Sequence, residues 1–109
     1  MNISVLTPEQ EIFHGTITSV KVPGTSGEFQ VLRNHAPIVS SLEAGKVTIV
    51  VAAGEHRIYD MESGEIKQAD EPGQHVELEI SGGFIEVLNN EVSLLVRGLN
   101  GLKRKNGKG

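Results

Sequence analysis

The 109-residue chain contains no cysteine, which removes disulfide frameworks, thiolate metal sites and cysteine nucleophiles from consideration. Aromatic residues are few: Phe13, Phe29, Phe84 and Tyr59. They offer no platform on which nucleic-acid bases would stack, and the apolar surroundings of all three Phe put them in the expected core. Long hydrophobic runs are missing too. The longest hold about five residues, against roughly 20 for a membrane-crossing helix. The opening MNISVLTPEQ has neither the basic nor the apolar region of a secretory signal. One soluble cytoplasmic domain is expected, meeting a membrane only through a partner.

Acid is absent from the end of the chain. All fourteen Asp and Glu lie within residues 1–96, beside five Lys and Arg, so that part carries −9. Residues 97–109, RGLNGLKRKNGKG, hold the other five basic side chains and carry +5. An acidic body repels phosphate backbones, which argues against nucleic acid as a partner of the domain. In the tail, Gly98, Gly101, Gly107 and Gly109 would each cost a helix about 1 kcal/mol. Only Leu99 and Leu102 are there to bury. A flexible basic tail is therefore expected over 97–109. Its KRK at 103–105 serves solubility or faces anionic groups.

What the chain does have is period-two alternation in short pieces. VTIVV (47–51) puts Val47, Ile49 and Val51 on one face. VELEI (76–80) does the same with Val76, Leu78 and Ile80, and EVSLLV (91–96) with Val92, Leu94 and Val96. FIEVL (84–88) and NISVL (2–6) are similar, while TITSVKV (16–22) is less regular and predicts a bulge. β-branched residues dominate, as a pleated half-buried surface prefers. AAGE, ESGE, EPGQ, SGG and LNNE supply turn residues between the runs, and Asn89-Asn90 suits a two-residue hairpin loop at positive φ. No ten residues show a helical period, and SSLEAG (40–45) holds one helical turn at most. The fold class expected is all-β, an antiparallel β-sandwich of about ten strands.

Catalytic patterns do not assemble. His14, His35, His56 and His75 are spaced by 21, 21 and 19 residues, so none forms a local metal pair. Ser40 and Ser41 sit on no G-x-S-x-G elbow. GTSGEF lacks the lysine and following helix of a phosphate loop, and ISGGF lies between strands, where Gly82 and Gly83 let the chain bend or bulge. No catalytic residue, metal or cofactor is expected. Two rival readings are a free-standing β-sandwich that binds a ligand or a peptide edge, and a hydrolase using His35 with Asp60 or Ser40.

The wording of three segments is more specific. VTIVV aside, VPGTSGEFQVLRNHAPIVSSLEAGKV and ISGGFIEVLNNEVSLLV follow an opening VLTPEQ with mutually fitting spacing. Together, over residues 1–96, they resemble the N-terminal domain of the epsilon subunit of F-type ATP synthase, called delta in mitochondria. That resemblance implies a β-sandwich and a non-catalytic subunit at the foot of the rotating central stalk. It would sit on the cytoplasmic face of the cell membrane as a peripheral part of the complex. Its partners would be gamma and the c ring directly and the alpha/beta head indirectly. By the same resemblance Glu28, with Ser26 and Gly27, faces the c ring, and His35, Ala36, Pro37, Ile38 and Val39 face gamma. Pro23 and Pro37 stiffen this stretch, and Gly24 and Gly27 permit reversal around Thr25-Ser26. Arg33 and Asn34 depart from the family's PGHAP wording, with Asn34 able to take positive φ in glycine's place. Two further departures are expected: an insertion around 56–75, forming a hairpin or mobile loop with an exposed acidic end at Asp70-Glu71, and no inhibitory helical hairpin after Val96.

Overall fold

The structure, a computed structural model, describes residues 1–54, 56–61, 63–69 and 73–105. Eleven strands follow one another: β1 (Asn2–Leu6), β2 (Glu11–Gly24), β3 (Gly27–Leu32), β4 (Ile38–Leu42), β5 (Gly45–Val51), β6 (His56–Asp60), β7 (Glu65–Ala69), β8 (His75–Ile80), β9 (Gly82–Leu88), β10 (Glu91–Arg97) and β11 (Gly101–Lys105). They form one hydrogen-bonded sheet, in the order β1-β10-β9-β4-β2-β5-β8-β11, that folds on itself as a β-sandwich. The described residues contain no helix, and the predicted alternation is seen directly. Val47, Ile49, Val51, Val76, Leu78, Ile80, Val92, Leu94 and Val96 are all buried.

One strand pair departs from the expected antiparallel pattern. β1 runs parallel to β10 and antiparallel to β2. The pairs β1–β10, β10–β9, β9–β4, β4–β2 and β2–β1 close a ring of five strands. Strand direction can alternate all the way round only an even-numbered ring, so closing this one requires a parallel pair. Closure also removes exposed edges, which would otherwise invite pairing with other chains.

β2 ties the layers together. A straight strand of its 14 residues would run about 45 Å, longer than the molecule's greatest extent of 33 Å. It bends instead at a bulge, where pairing to β5 shifts between Ile17 and Ser19. The extra residue flips the buried parity from Phe13, Gly15 and Ile17 to Val20, Val22 and Gly24. One strand thereby faces the core in both halves, and the bulge expected in the irregular TITSVKV is what permits it.

The region around 56–75 contains a hairpin, β6–β7, laid along the first half of β2 with Phe13 opposite Ile58 and His14 opposite Arg57. Three contacts seat it. Arg57 donates Nε to Glu11 Oε1 at 3.0 Å and Nη2 to Glu11 Oε2 at 3.3 Å. The buried His56 ring stacks on Phe13 at 5.3 Å. Gly15 lies beneath His56, where a Cβ would come within 2.5 Å of the His56 Cβ. Asp70 and Glu71 lie outside the described residues.

The tail differs from the flexible segment expected. Gly101–Lys105 pairs antiparallel with β8, placing Lys103 opposite Glu77 and Leu102 opposite Leu78. The open edge of β8 provides the backbone partners, and the opposite-charge cross-strand pair favours the register. Glycine spacing weighs against a helix but not against adding to a free edge. Residues 106–109 lie outside the described residues. Phe84 also departs from expectation: it is 53% exposed, because Ile85 takes the inward position in β9.

Positive φ falls where the asparagines predicted it, at Asn34, Asn89 and Asn90. Two of these turns clasp one another. The Asn34 backbone N–H donates to Asn90 Oδ1 at 2.6 Å, and Asn90 Nδ2 donates to Asn34 Oδ1 at 3.1 Å. The β3–β4 loop is thus braced on the β9–β10 turn.

Asn90→Gly keeps the φ and loses the clasp. Amide exchange should speed up across residues 33–37, read by mass spectrometry, while β2 and β5 stay protected. A pH effect follows from the hairpin. The hydrogen bond from Arg57 holds the Glu11 carboxyl below its ordinary value; partial burial opposes this, and the Arg57 and His14 charges support it. Such a depressed group stabilises the fold above its unfolded-state pKa, and the effect is lost as pH falls through the folded value. Denaturant titrations should therefore show wild type more stable than Glu11→Gln at neutral pH, with the gap closing as pH drops below about 4.5.

Candidate partner-binding surfaces

Two surfaces stand out, both built from the PGTSGEFQVLRNHAP stretch and its neighbours. The first is the β2–β3 tip. Gly24 pairs with Gly27 across the two-residue loop Thr25-Ser26. A Cβ on Gly24 would come within 2.7 Å of the Gly27 carbonyl oxygen, and Gly27 sits at φ 126°, so both glycines are needed for so tight a reversal. The tip is braced from the side. Thr25 N–H donates to Ser41 O at 3.1 Å, and Glu43 N–H donates to Pro23 O at 2.9 Å. Thr25, Ser26, Gly27 and Glu28 are all exposed. Glu28 makes no ion pair among the described residues, which leaves a fixed, solvated carboxylate at a rigid end.

The second surface is the outer face of β4, β9 and β10. His35 lies in the braced β3–β4 loop, with Nδ1 2.7 Å from Ala36 O. A contact of that kind has Nδ1–H donating and turns Nε2 outward. Ala36 and Pro37 are exposed, Ile38 is half-buried, and Val39 is 71% exposed. Val39 shares a shallow depression of about 240 Å³ with Pro37, Glu86 and Leu88. Farther along the same face a second depression, about 280 Å³, is walled by Leu6, Pro8, Phe84, Leu95 and the aliphatic part of Arg97. Strand register explains the row: Leu6 is opposite Leu95, and Leu95 is opposite Phe84. Its floor is shallow because Gly83 has no side chain, and a Cβ there would lie 2.1 Å from Leu95 O. Phe84, Leu88, Leu95 and Val39 are each about half exposed or more. Exposed apolar groups on either side of Glu86 thus make this face a candidate docking surface.

The sequence reading named Val39 but missed Phe84, Leu88 and Leu95. The signal was available in the doublets Phe84-Ile85, Val87-Leu88 and Leu94-Leu95. Adjacent strand residues point to opposite faces, so an apolar doublet puts one large side chain outside.

No catalytic constellation forms among the described residues. His35 has no hydrogen bond to Ser40 or Asp60, the hydrolase partners considered above. The histidines are dispersed: His14 meets Ser4 Oγ at 3.0 Å, His56 is buried against Phe13, and His75 lies on β8. No group of His, Asp and Glu among the described residues could hold a metal ion.

Comparison with known proteins bears on these surfaces. Residues 1–68 match the family described as ATP synthase, Delta/Epsilon chain, beta-sandwich domain. The ATP synthase epsilon chain of Leptospira borgpetersenii is 34% identical over 95 residues, covering 87% of this chain and 59% of that one. The epsilon chain of Caulobacter vibrioides is 39% identical over 64 residues, covering 59% of this chain and 73% of that one. The chain thus spans 59% of the length of the Leptospira relative. Among solved structures, a chain of the Tetrahymena thermophila mitochondrial ATP synthase central stalk and c ring superposes with a TM-score of 0.59 at 16% identity, over 99% of this chain and 67% of that one. A chain of the Euglena gracilis mitochondrial ATP synthase gives 0.61 at 17% identity, over 94% and 51%. Those structural likenesses speak to the fold. On the family match, which takes in more than half of its residues, the chain belongs to the delta/epsilon chain β-sandwich family of ATP synthase.

Proposed function

We propose that this domain acts as a non-catalytic rotor subunit of an F-type ATP synthase, joining gamma to the c ring and coupling proton movement to ATP synthesis. The observation that carries the reading is the match of residues 1–68 to the epsilon-type sandwich. Two separate surfaces support it, since an adapter needs two. In this proposal the apolar face around His35, Ala36, Pro37, Ile38, Val39, Leu88 and Phe84 packs on gamma. The rigid tip at Ser26, Gly27 and Glu28 meets the polar loops of the c ring. An exposed pair between Glu28 and a ring Arg or Lys would give only about 0–1 kcal/mol, so it would set position more than affinity. No helix of the described residues is long and apolar enough to cross a membrane. By family membership, the proposed place is peripheral, on the cytoplasmic face of the cell membrane and held there by the complex. The alpha/beta head is reached only through gamma.

Docking that buries Val39 would gain about 1.5–3 kcal/mol from that side chain. Val39→Asp should therefore weaken binding to the cognate gamma subunit more than tenfold in calorimetry, with an unchanged melting temperature. Glu28→Gln should leave gamma binding intact and alter only proton-coupled ATP synthesis in the assembled enzyme. A stable monomer with no affinity for gamma would favour a free-standing ligand- or peptide-binding sandwich instead.

A further inference from the structure

The β6–β7 hairpin and β11 border an open depression of about 210 Å³ that the stalk reading does not use, lined by Ile58, Tyr59, Asp60, Met61, Lys67, Leu102 and Arg104. β11 splits its basic residues between two faces. Lys103 is opposite Glu77, which also meets Lys46 at 3.9 Å, whereas Leu102 and Arg104 line the depression. Two cations therefore meet across this space in a protein whose first 96 residues carry −9. Lys67 Nζ is held by Asp60 at 2.8 Å. The hydrogen bond to Asp60 holds the Lys67 ammonium above the ordinary lysine value, with Arg104 opposing only weakly, and Arg104, which lines the same depression, makes no ion pair among the described residues. With Asp60, the lining carries one net positive charge, located at Arg104. The lining is mainly polar, with apolar surface offered by the exposed Met61 and the half-buried Leu102 above the buried Ile58. The hairpin wall is fixed on β2 by the Arg57–Glu11 pair and by the close fit of His56 over Gly15.

We propose that this depression binds a small organic monocarboxylate, its acidic group held by Arg104 beside the Lys67–Asp60 pair and its apolar body laid on Met61 and Leu102. The volume falls below the 300 Å³ or more typical of drug-sized ligands, so the ligand is compact. One uncompensated cation matches one negative charge, and a guanidinium fork suits the two oxygens of a carboxylate. The site is independent of the stalk role, so its test needs no partner subunit.

The test is a heteronuclear NMR titration of the full 109-residue chain with benzoate, phenyl phosphate and acetate as probes. Benzoate should shift the amides of residues 58–61, 67 and 102–104 along one saturable curve. Acetate, which lacks the apolar body, should bind at least tenfold more weakly. Arg104→Gln should weaken benzoate at least tenfold, and Lys103→Gln, an equal charge loss on the other face of β11, should leave it unchanged. Absence of saturation at millimolar benzoate would overturn the proposal, as would an equal loss in the two variants, which would signify diffuse charge attraction. Tighter binding of phenyl phosphate than of benzoate would overturn the assignment to a monocarboxylate.

Discussion

The structure depends on β2 pairing with five other strands. β1, β3, β4, β5 and β6 all take hydrogen bonds from it. Among the described residues no other strand has so many partners, and register shifts at Ile12 and between Ile17 and Ser19 let this one serve both layers. The rest follows from that constraint. Its far end, with β3, makes the rigid tip. Its near end carries the β6–β7 hairpin on Phe13, Gly15 and Glu11. Its two contacts with the five-strand ring, to β1 and to β4, close the ring and force the parallel pair. A core of mostly β-branched side chains then packs against a strand that faces inward in both halves.

Much of this was legible locally. Alternation in VTIVV, VELEI and EVSLLV marked strands because period two needs no knowledge of the partner strand. Asn34, Asn89 and Asn90 marked turns because few other residues adopt positive φ. The irregular TITSVKV marked the bulge for the same local reason. What escaped was non-local. Leu102 and Lys103 form a strand because β8 has an edge to offer, and nothing within RGLNGLKRKNGKG says so. The parallel β1–β10 pair comes from the parity of a closed ring, which exists only after folding. Phe84 was expected in the core, and Leu88 and Leu95 went unnamed, because hydrophobicity alone does not say which side of a sheet is inside.

The candidate surfaces divide in the same way. The tip was readable in PGTSGEF, where two glycines and a proline constrain one reversal. The apolar face was half readable: the loop through His35 and Val39 stood out, and the row Leu6–Leu95–Phe84 emerged only from strand register. These surfaces have the properties an adapter between moving parts requires. The tip is stiffened by backbone bonds to Ser41 and from Glu43, and the loop beside the apolar face is clasped by Asn34 and Asn90. In the proposed role, stiffness at both surfaces would let force pass through the sandwich rather than deform it. The hairpin lies away from the tip, and its Tyr59 and Met61 border Pro8 and Arg97 at the end of the apolar face.

The central claim is that the tip and the apolar face meet two different subunits. The absence of cysteine makes any introduced thiol unique, so cross-linking in the assembled enzyme from Glu28→Cys and from Val39→Cys, each carrying a short photoreactive group, tests it most directly. The account predicts a c-subunit adduct from position 28 and a gamma adduct from position 39. Adducts from both positions to the same subunit, or to neither, would contradict it.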